Sequence, residues 1–212
     1  VDHGLVILTW GNVSAIDRES GLVVIKPSGV DYAKMTADDM VVMSLDGTKV
    51  EGKLNPSSEI KMHMRVYQER PDVKAVVHAH PIYATSFAIA GIPLTQPIMP
   101  EAVIALGCVP IADYGTPSTA EIPDAIEKYL QHFDALLLAN HGALAYSDDL
   151  FAAYHKMESL EFYAELLYKA NQLGGPKELS KAQVERLYEI RRQFGLKGKH
   201  PANVCVNNKD GK

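Results

Sequence analysis

The chain has 212 residues, of which 47% are hydrophobic and 22% charged, and its formal net charge is −5 at pH 7. That length supports one large domain with its own core, and the acidic balance argues against nucleic acid as the main partner. No stretch approaches the roughly 18 consecutive apolar residues of a membrane-spanning helix, and nothing resembles a signal peptide. The two cysteines, Cys108 and Cys205, predict no disulfide framework, so a cytoplasmic protein without a membrane partner is expected.

The first segment that suggests a binding loop is Thr-Trp-Gly-Asn-Val-Ser at residues 9–14. Gly11 and Asn12 tolerate positive φ and a close backbone approach, which suits a phosphate and equally an ordinary turn between strands. Upstream, residues 1–4 resemble the end of a helix. We therefore expect a leading helix to precede them in the complete protein.

A second candidate loop follows a predicted buried strand at residues 22–25. Lys-Pro-Ser-Gly at residues 26–29 combines a cation, the hydroxyl of Ser28 and the flexible backbone of Gly29. This combination suits an anion, although a plain Pro-Ser-Gly loop is the simpler explanation. Further along, Asp-Gly at residues 46–47 predicts a β-hairpin.

Pro-Ser-Ser-Glu at residues 56–59 predicts the start of a helix that runs to about residue 68. Ser57 and Ser58 are natural N-cap residues, and a helix N-terminus with two hydroxyls suits a phosphate. Glu59 in the first turn needs no more explanation than the helix dipole. His63 lies one turn beyond Glu59, where a surface or packing role is the simpler alternative to a ligand role.

Residues 75–80, Ala-Val-Val-His-Ala-His, predict a short buried strand that carries two imidazoles. Successive strand side chains point to opposite faces, so His78 and His80 are expected on the same face. Two imidazoles side by side can bind one metal ion, with carboxylate as a normal further zinc ligand. The alternative is one satisfied core histidine and one histidine at a strand end.

The rest of the chain predicts alternating helices and strands. A strand at residues 136–139 runs into Asn-His-Gly, and His141 taken alone is explained more readily by a structural role than by metal binding. The whole, residues 1–212, is predicted to be one α/β domain with a mostly antiparallel sheet flanked by helices, and the tail from about residue 200 is expected to fray. The remaining predicted elements are a helix from Pro81 to Gly91, a proline-rich extended run at 93–100, strands at 103–106 and 109–112, a helix at 119–131, a helix capped by Asp148-Asp149 that runs to about 173, and a helix capped by Ser180 and Gln183 and ended by Gly195.

These motifs, in this order over residues 4–195, resemble the class II aldolase and sugar-phosphate epimerase superfamily, which also includes the adducin head domain. The resemblance implies a divalent metal, usually zinc with manganese or cobalt as substitutes, and a homotetramer with sites at subunit interfaces. It implies metal ligands at Glu59, His78, His80 and His141. It implies a substrate-phosphate pocket at Gly11, Asn12, Ser28, Gly29, Ser57 and Ser58.

The subfamily remains open in the sequence. Residues 9–14 and 25–29 look like those of L-ribulose-5-phosphate 4-epimerases, whereas Glu59 is a glutamate as in L-fuculose-1-phosphate aldolases, where the epimerase has aspartate. Those aldolases have one catalytic tyrosine in the segment after the histidine pair, where this sequence has the proline-rich run at 93–100. Their second, C-terminal tyrosine is replaced here by Phe194. Glu101 falls near the acidic catalytic residue of the epimerase and is our candidate second acid/base.

The expected reaction is zinc-dependent cleavage of a ketose 1-phosphate, similar to L-fuculose 1-phosphate, into dihydroxyacetone phosphate and an aldehyde, with Glu59 as the base. The alternatives are an epimerase of the L-ribulose-5-phosphate 4-epimerase type, a related dehydratase or decarboxylase, and a non-enzymatic scaffold of the adducin type.

Overall fold

One mixed sheet of eight strands organises the part of the chain that the computed structural model describes, residues 1–201. The strand order is β4-β3-β2-β1-β5-β8-β7-β6, and every neighbouring pair is antiparallel except β6 and β7. The predicted mostly antiparallel α/β fold is confirmed. The strands are β1 Asn12–Asp17, β2 Leu22–Ile25, β3 Val41–Ser44, β4 Lys49–Glu51, β5 Ala75–Ala79, β6 Ile111–Ala112, β7 Ala135–Leu138 and β8 Gly142–Ser147.

Helices cover both faces of this sheet. One hydrophobic cluster joins the sheet to α2, α3 and α5, and a second joins its other face to α1 and α4. Each sheet face needs such a cover because alternate strand residues point to opposite sides. The helices are α1 Ile60–Glu69, α2 Ile82–Ala90, α3 Pro100–Ala105, α4 Glu121–Leu130, α5 Leu150–Gln172 and α6 Lys181–Gln193.

The central strand β5 is buried along its whole length. It pairs with β1 on one side and with β8 on the other. Its alternate residues divide between the two clusters, with Val77 facing α2 and α5 and Val76 facing α1 and α4. His78 shares the parity of Val76 and therefore points to the α1 side of the sheet.

A predicted hairpin and the predicted N-terminal caps of two helices are confirmed. The Asp46-Gly47 hairpin joins β3 to β4. Asp149 caps α5 by accepting a hydrogen bond from the backbone N–H of Ala152, and Ser180 with Gln183 forms a capping box at α6. These ends were predictable because capping depends on side chains adjacent in sequence.

Other predictions were wrong in detail. Residues 103–106, predicted as a strand, belong to α3 and its C-cap, because Pro100 at the first helical position favours a helix start. A short apolar run cannot by itself distinguish a strand from a buried helix. The strand predicted at 109–112 is confined to β6, and Val109 pairs with Leu94 in an isolated bridge. Helix α1 begins later than predicted, with Glu59 rather than a serine at its N-cap.

The expectation that the cysteines form no disulfide is contradicted at Cys108, which is buried and disulfide-bonded. Cys205 lies outside the described residues, as does most of the tail that was expected to fray from about residue 200.

Candidate metal centre

His78 and His80 meet at the C-terminal end of β5. Their Nε2 atoms lie 3.1 Å apart, and their ring centroids are separated by 4.7 Å. The same-face prediction is therefore confirmed. Two nitrogens that bind one tetrahedral zinc at about 2.0–2.1 Å are themselves separated by roughly 3.3 Å. The observed spacing is close to that value without any rearrangement of the strand.

His141 joins this pair through the turn between β7 and β8. Asn140 adopts φ +56°, a left-handed conformation that asparagine tolerates, and His141 donates its backbone N–H to Leu138 O. Because β8 pairs with β5, the turn delivers His141 beside His78 and His80. One ring nitrogen from each of the three histidines lies within 4.8 Å of the others.

Gly142 explains why the Asn-His-Gly turn ends in glycine. A Cβ at this position would lie 2.5 Å from Ala79 O and 2.7 Å from Cδ2 of His80. Real Cβ atoms do not approach backbone oxygen so closely, so any larger residue would push His80 or its strand away. The missing side chain is thus part of how the three imidazoles come together.

Glu59 closes the fourth side of the cluster from the start of α1. Its Oε2 lies 3.1 Å from His78 Nε2, and its Oε1 lies 3.2 Å from His141 Nε2. Burial by itself would raise the pKa of Glu59, but His78, His141 and a hydrogen bond from Asn12 outweigh it and hold that pKa well below its usual range. Glu59 is therefore a carboxylate at neutral pH.

The hydrogen-bond pattern shows that the cluster suits a cation. His78 Nδ1 lies 2.9 Å from the backbone oxygen of Ala143 and must donate to it, which leaves Nε2 of a neutral ring with a lone pair. Nε2 faces the carboxylate oxygen of Glu59 at 3.1 Å, so a proton or a metal cation between the two atoms is favourable. The buried Oε1 of Glu59 also has no hydrogen-bond partner. Burial lowers the pKa of both His80 and His141 to about 4, so both are neutral at pH 7 and able to bind a metal.

A second group of buried polar side chains lies behind Glu59. Asn12 donates its amide N–H to Glu59 Oε2 at 2.9 Å, and its amide oxygen lies 2.5 Å from His63 Nε2. His63 Nδ1 in turn lies 2.6 Å from Ser14 Oγ, which lies 2.7 Å from the hydroxyl of Tyr67. His63 is fully buried, so burial lowers its pKa to about 3.

The sequence placed His63 one turn beyond Glu59 and favoured a surface or packing role over a ligand role. The structure shows His63 buried and hydrogen-bonded to Asn12 and Ser14. What the sequence lacked was the partner, because Asn12 and Ser14 arrive from a different strand.

The three segments predicted to bind phosphate are adjacent in the structure. Ser28 donates its backbone N–H to Asn55 O at 3.0 Å, and Ser57 donates its own to Lys26 O at 3.2 Å, so the loop at 26–29 lies against the start of α1. The hydroxyl of Tyr32 donates to Gly11 O at 2.9 Å and ties the third segment to this loop.

The individual residues of this predicted pocket differ in accessibility. Ser28, Gly29 and Ser58 are exposed, whereas Ser57 and Gly11 are buried. Gly11 adopts φ +73°, and a Cβ there would lie 2.8 Å from the backbone oxygen of His78, so only glycine fits. The side chain of Asn12 is occupied by its hydrogen bonds with Glu59 and His63.

Lys26, the cation of the second loop, does not point outward. It is buried, donates to Thr9 O at 3.0 Å and lies over the ring of Tyr32 at 4.6 Å. Burial lowers its pKa. Lys26 therefore secures the loop at residues 9–12 and is not a free ligand for an anion.

Glu101, the candidate second acid/base, and Phe194, at the position of the C-terminal tyrosine of the aldolases, make no hydrogen bond to the histidine cluster among the described residues. Glu101 is exposed in the first turn of α3 and makes no hydrogen bond or ion pair with the residues that the structure describes. Phe194 is the C-cap of α6 and is exposed. The role of Glu101 stays a prediction.

Glu161 supports the cluster from α5. Its two carboxylate oxygens accept the backbone N–H groups of Tyr83 and Ala84 at 2.9 and 2.8 Å, so it caps the first turn of α2. That turn begins immediately after His80 and Pro81, and no side chain of α2 supplies a cap of its own. A carboxylate from a distant helix thus fixes where the chain leaves His80.

The family described as Class II Aldolase and Adducin N-terminal domain matches residues 1–168. The chain belongs to this family. The resemblance noted in the sequence is confirmed, and the described structure, with its sheet and its histidine cluster, is that of a class II aldolase domain.

Characterised relatives include both aldolases and epimerases. The chain is 36% identical over 197 residues to a 5-deoxy-D-ribulose 1-phosphate aldolase of Bacillus thuringiensis serovar kurstaki, with 92% of this chain and 91% of the relative covered. It is 38% identical over 183 residues to the L-ribulose-5-phosphate 4-epimerase UlaF of Salmonella paratyphi B, which covers 81% and 80% of the two chains. The prediction of an enzyme is confirmed by these class II aldolase relatives.

Solved structures of similar fold also include sugar-phosphate aldolases. An L-fuculose 1-phosphate aldolase superposes with a TM-score of 0.85 at 35% identity, covering 92% of this chain and 91% of the other. The L-fuculose-1-phosphate aldolase of Thermus thermophilus gives 0.72 at 32% identity, covering 84% and 92%. Among residues 1–201, no helix has the length and apolar character needed to cross a membrane.

Proposed function

We propose that the protein is a zinc-dependent class II aldolase that cleaves a ketose 1-phosphate between C3 and C4 into dihydroxyacetone phosphate and an aldehyde. The observation that carries this proposal is Glu59, whose two carboxylate oxygens face His78 and His141 while Asn12 donates to one of them. A carboxylate held ionised beside three imidazoles is both a metal ligand and a base within reach of a bound substrate.

The metal proposal rests on the donor set. His78, His80, His141 and Glu59 offer nitrogen and oxygen ligands of the kind that zinc prefers, and manganese or cobalt are the substitutes. A divalent metal in this position supplies Lewis-acid stabilisation of the negative charge that develops on the substrate oxygens.

Other residues of the chain bind the substrate phosphate, orient the substrate and transfer protons. The phosphate lies against Gly11, Asn12, Ser28, Gly29, Ser57 and Ser58, where three adjacent segments present the exposed residues Ser28, Gly29 and Ser58. Glu59 delivers a proton to C3 after the C3–C4 bond breaks, and removes it in the reverse condensation. Glu101 is the proposed acid/base at the aldehyde oxygen.

Two of the relatives support a more specific proposal for the substrate. Both 5-deoxy-D-ribulose 1-phosphate and L-fuculose 1-phosphate carry a methyl group at the end remote from phosphate, so either cleavage releases a short methyl-terminated aldehyde. We propose that this chain also acts on a deoxyketose 1-phosphate. An L-ribulose-5-phosphate 4-epimerase is the second candidate, because the identity to UlaF is 38%.

We further propose a cytoplasmic homotetramer with sites at subunit interfaces. Trp10, which contacts His80 edge to face at 6.0 Å between ring centroids, is 55% exposed. A large apolar side chain exposed beside the site is suited to burial by a second copy of the chain.

The test is incubation of the zinc-loaded protein with a panel of synthetic substrates, namely 5-deoxy-D-ribulose 1-phosphate, L-fuculose 1-phosphate and L-ribulose 5-phosphate. Release of dihydroxyacetone phosphate, followed by its enzymatic reduction with NADH, is expected for one or both 1-phosphates. Epimer formation from L-ribulose 5-phosphate without such release, detected by NMR, would favour the second candidate. Zinc binding without turnover of any compound would favour a non-enzymatic role like that of adducin.

A further inference from the structure

An unbroken line of hydrogen bonds leads from the proposed base into the core. It contains Glu59, Asn12, His63, Ser14 and Tyr67, with successive polar atoms 2.5–2.9 Å apart. We call these five residues the Glu59 relay. Apart from the carboxylate end, each member is at most 3% exposed, and β1, α1 and the N-cap of α1 supply them all.

The direction of every hydrogen bond in the relay follows from its carboxylate end. Ionised Glu59 can only accept, so the Asn12 atom that faces it is the amide nitrogen. The amide oxygen of Asn12 then faces His63 Nε2, which must carry the ring proton. A neutral ring leaves Nδ1 as an acceptor, so Ser14 donates to His63 and Tyr67 donates to Ser14.

The donors that link successive members of the relay therefore all point towards Glu59. The opposite amide orientation would place the oxygen of Asn12 against a carboxylate and the amide N–H groups against an N–H of His63. Both contacts are repulsive in a site from which water is excluded. Only the Nε2-protonated form of His63 holds Asn12 in the donating orientation.

We propose that His63 is a positioning residue of this enzyme, which acts through Asn12 to hold the carboxylate of Glu59 against the histidine cluster. The inference deepens the proposed function and rests on it for the proton-transfer role of Glu59. Removal of His63 lets the Asn12 amide rotate, so Glu59 loses its donor and its fixed direction towards His78 and His141. Mutation of a residue that hydrogen-bonds to a metal ligand typically weakens metal binding by about 10- to 100-fold.

The test compares four variants by zinc affinity. His63→Phe removes both ring nitrogens, whereas His63→Gln keeps one N–H for Asn12 and one acceptor for Ser14. Tyr67→Phe removes the last donor of the relay without touching the site. Tyr146→Phe is its matched control, because Tyr146 is also fully buried and its hydroxyl donates to Phe133 O at 2.7 Å, outside the relay.

Zinc affinity is measured by chelator competition on metal-free folded protein, so it requires no turnover. We expect about 10- to 100-fold weaker binding in His63→Phe, recovery to within about fivefold in His63→Gln, and a larger loss in Tyr67→Phe than in Tyr146→Phe. Unchanged affinity in His63→Phe would overturn the proposal. If that variant does not fold, equal affinity of Tyr67→Phe and Tyr146→Phe would overturn it instead.

Two further measurements separate the relay from a merely structural network and from the proposed function. The ¹⁵N signals of the His63 ring in wild type should show the Nε2-protonated tautomer, and an Nδ1-protonated ring or an imidazolium would refute the relay. Proton exchange of dihydroxyacetone phosphate per zinc-loaded site should fall about 10-fold or more in His63→Phe. Absence of exchange in wild type would refute the aldolase proposal, while the tautomer and zinc affinities still decide the relay.

Discussion

Asn12 and His78 lie directly opposite each other in the antiparallel ladder between β1 and β5, and both direct a nitrogen at the same oxygen of Glu59. The distances to Oε2 are 2.9 Å from Asn12 Nδ2 and 3.1 Å from His78 Nε2. A slip of one residue in this register would turn one of the two side chains to the opposite face of the sheet. The geometry of the site therefore depends on the pairing of two strands that are far apart in the chain.

One tightly bound divalent metal per chain is expected, with zinc preferred. His141→Ala should lower metal occupancy and abolish turnover, because it removes one of three imidazole ligands. Elemental analysis of protein purified without chelator provides the measurement. His132→Ala, at an exposed position away from the cluster, is the control and should retain the metal. Wild type without any transition metal would contradict the assignment.

The phosphate pocket is tested by Ser58→Ala. A hydroxyl that donates to a phosphate forms a charge-assisted hydrogen bond worth roughly 1.5–3 kcal/mol, so KM for the phosphorylated ketose should rise about 10- to 100-fold. Ser86→Ala is the control, because Ser86 is exposed on α2 and donates only to Ile82 O. Equal turnover of phosphorylated and unphosphorylated ketose by wild type would show that these loops do not bind phosphate.

Glu59→Gln separates proton transfer from metal binding. The three histidines remain, so zinc occupancy should fall only in part, whereas loss of a general base typically slows proton transfer by about 10²–10⁴-fold. The measurement is deuterium incorporation from solvent into dihydroxyacetone phosphate without any aldehyde. Wild type should exchange and the variant should not. An absence of exchange in both would point to the epimerase, in which that proton need not move.

Glu161→Gln should weaken the support of His80. A carboxylate that accepts two backbone N–H groups is replaced by an amide with one acceptor, so we expect a loss of about 1–2 kcal/mol in the free energy of unfolding. Urea unfolding measures this loss. Glu165→Gln on the same helix is the control, and because Glu165 pairs with exposed Lys169, its loss should be clearly smaller. Equal losses would mean that the cap of α2 contributes little.

Stability should fall in acid through His63. Burial lowers its pKa from 6.5 to about 3, so below pH 6.5 the unfolded chain binds a proton that the folded protein does not. The contribution of the neutral His63 ring to the free energy of unfolding is fully present above pH 6.5 and declines as the pH falls towards 3. Metal-free wild type should lose roughly 2 kcal/mol more than metal-free His63→Gln between pH 7 and pH 5. Urea unfolding at both pH values measures the difference, and parallel losses in the two proteins would contradict it.

Local patterns in the sequence determined much of this protein by themselves. The caps of α5 and α6 depend on side chains next to the helix ends, and the alternation of β5 places His78 and His80 on one face. Order and spacing of the loop motifs were sufficient for the family. The caps and the strand alternation are interactions between residues close in sequence, so the sequence itself specifies them.

Tertiary structure alone decided how those pieces meet. Pairing of β8 with β5 delivers His141, packing of α1 against the sheet delivers Glu59, and register with β1 delivers Asn12. The short apolar run in α3 was assigned to the wrong element because only its packing distinguishes helix from strand. The orientation of the Asn12 amide is likewise set by His63 from another element, since a hydrogen bond across the fold leaves no periodic trace in the sequence.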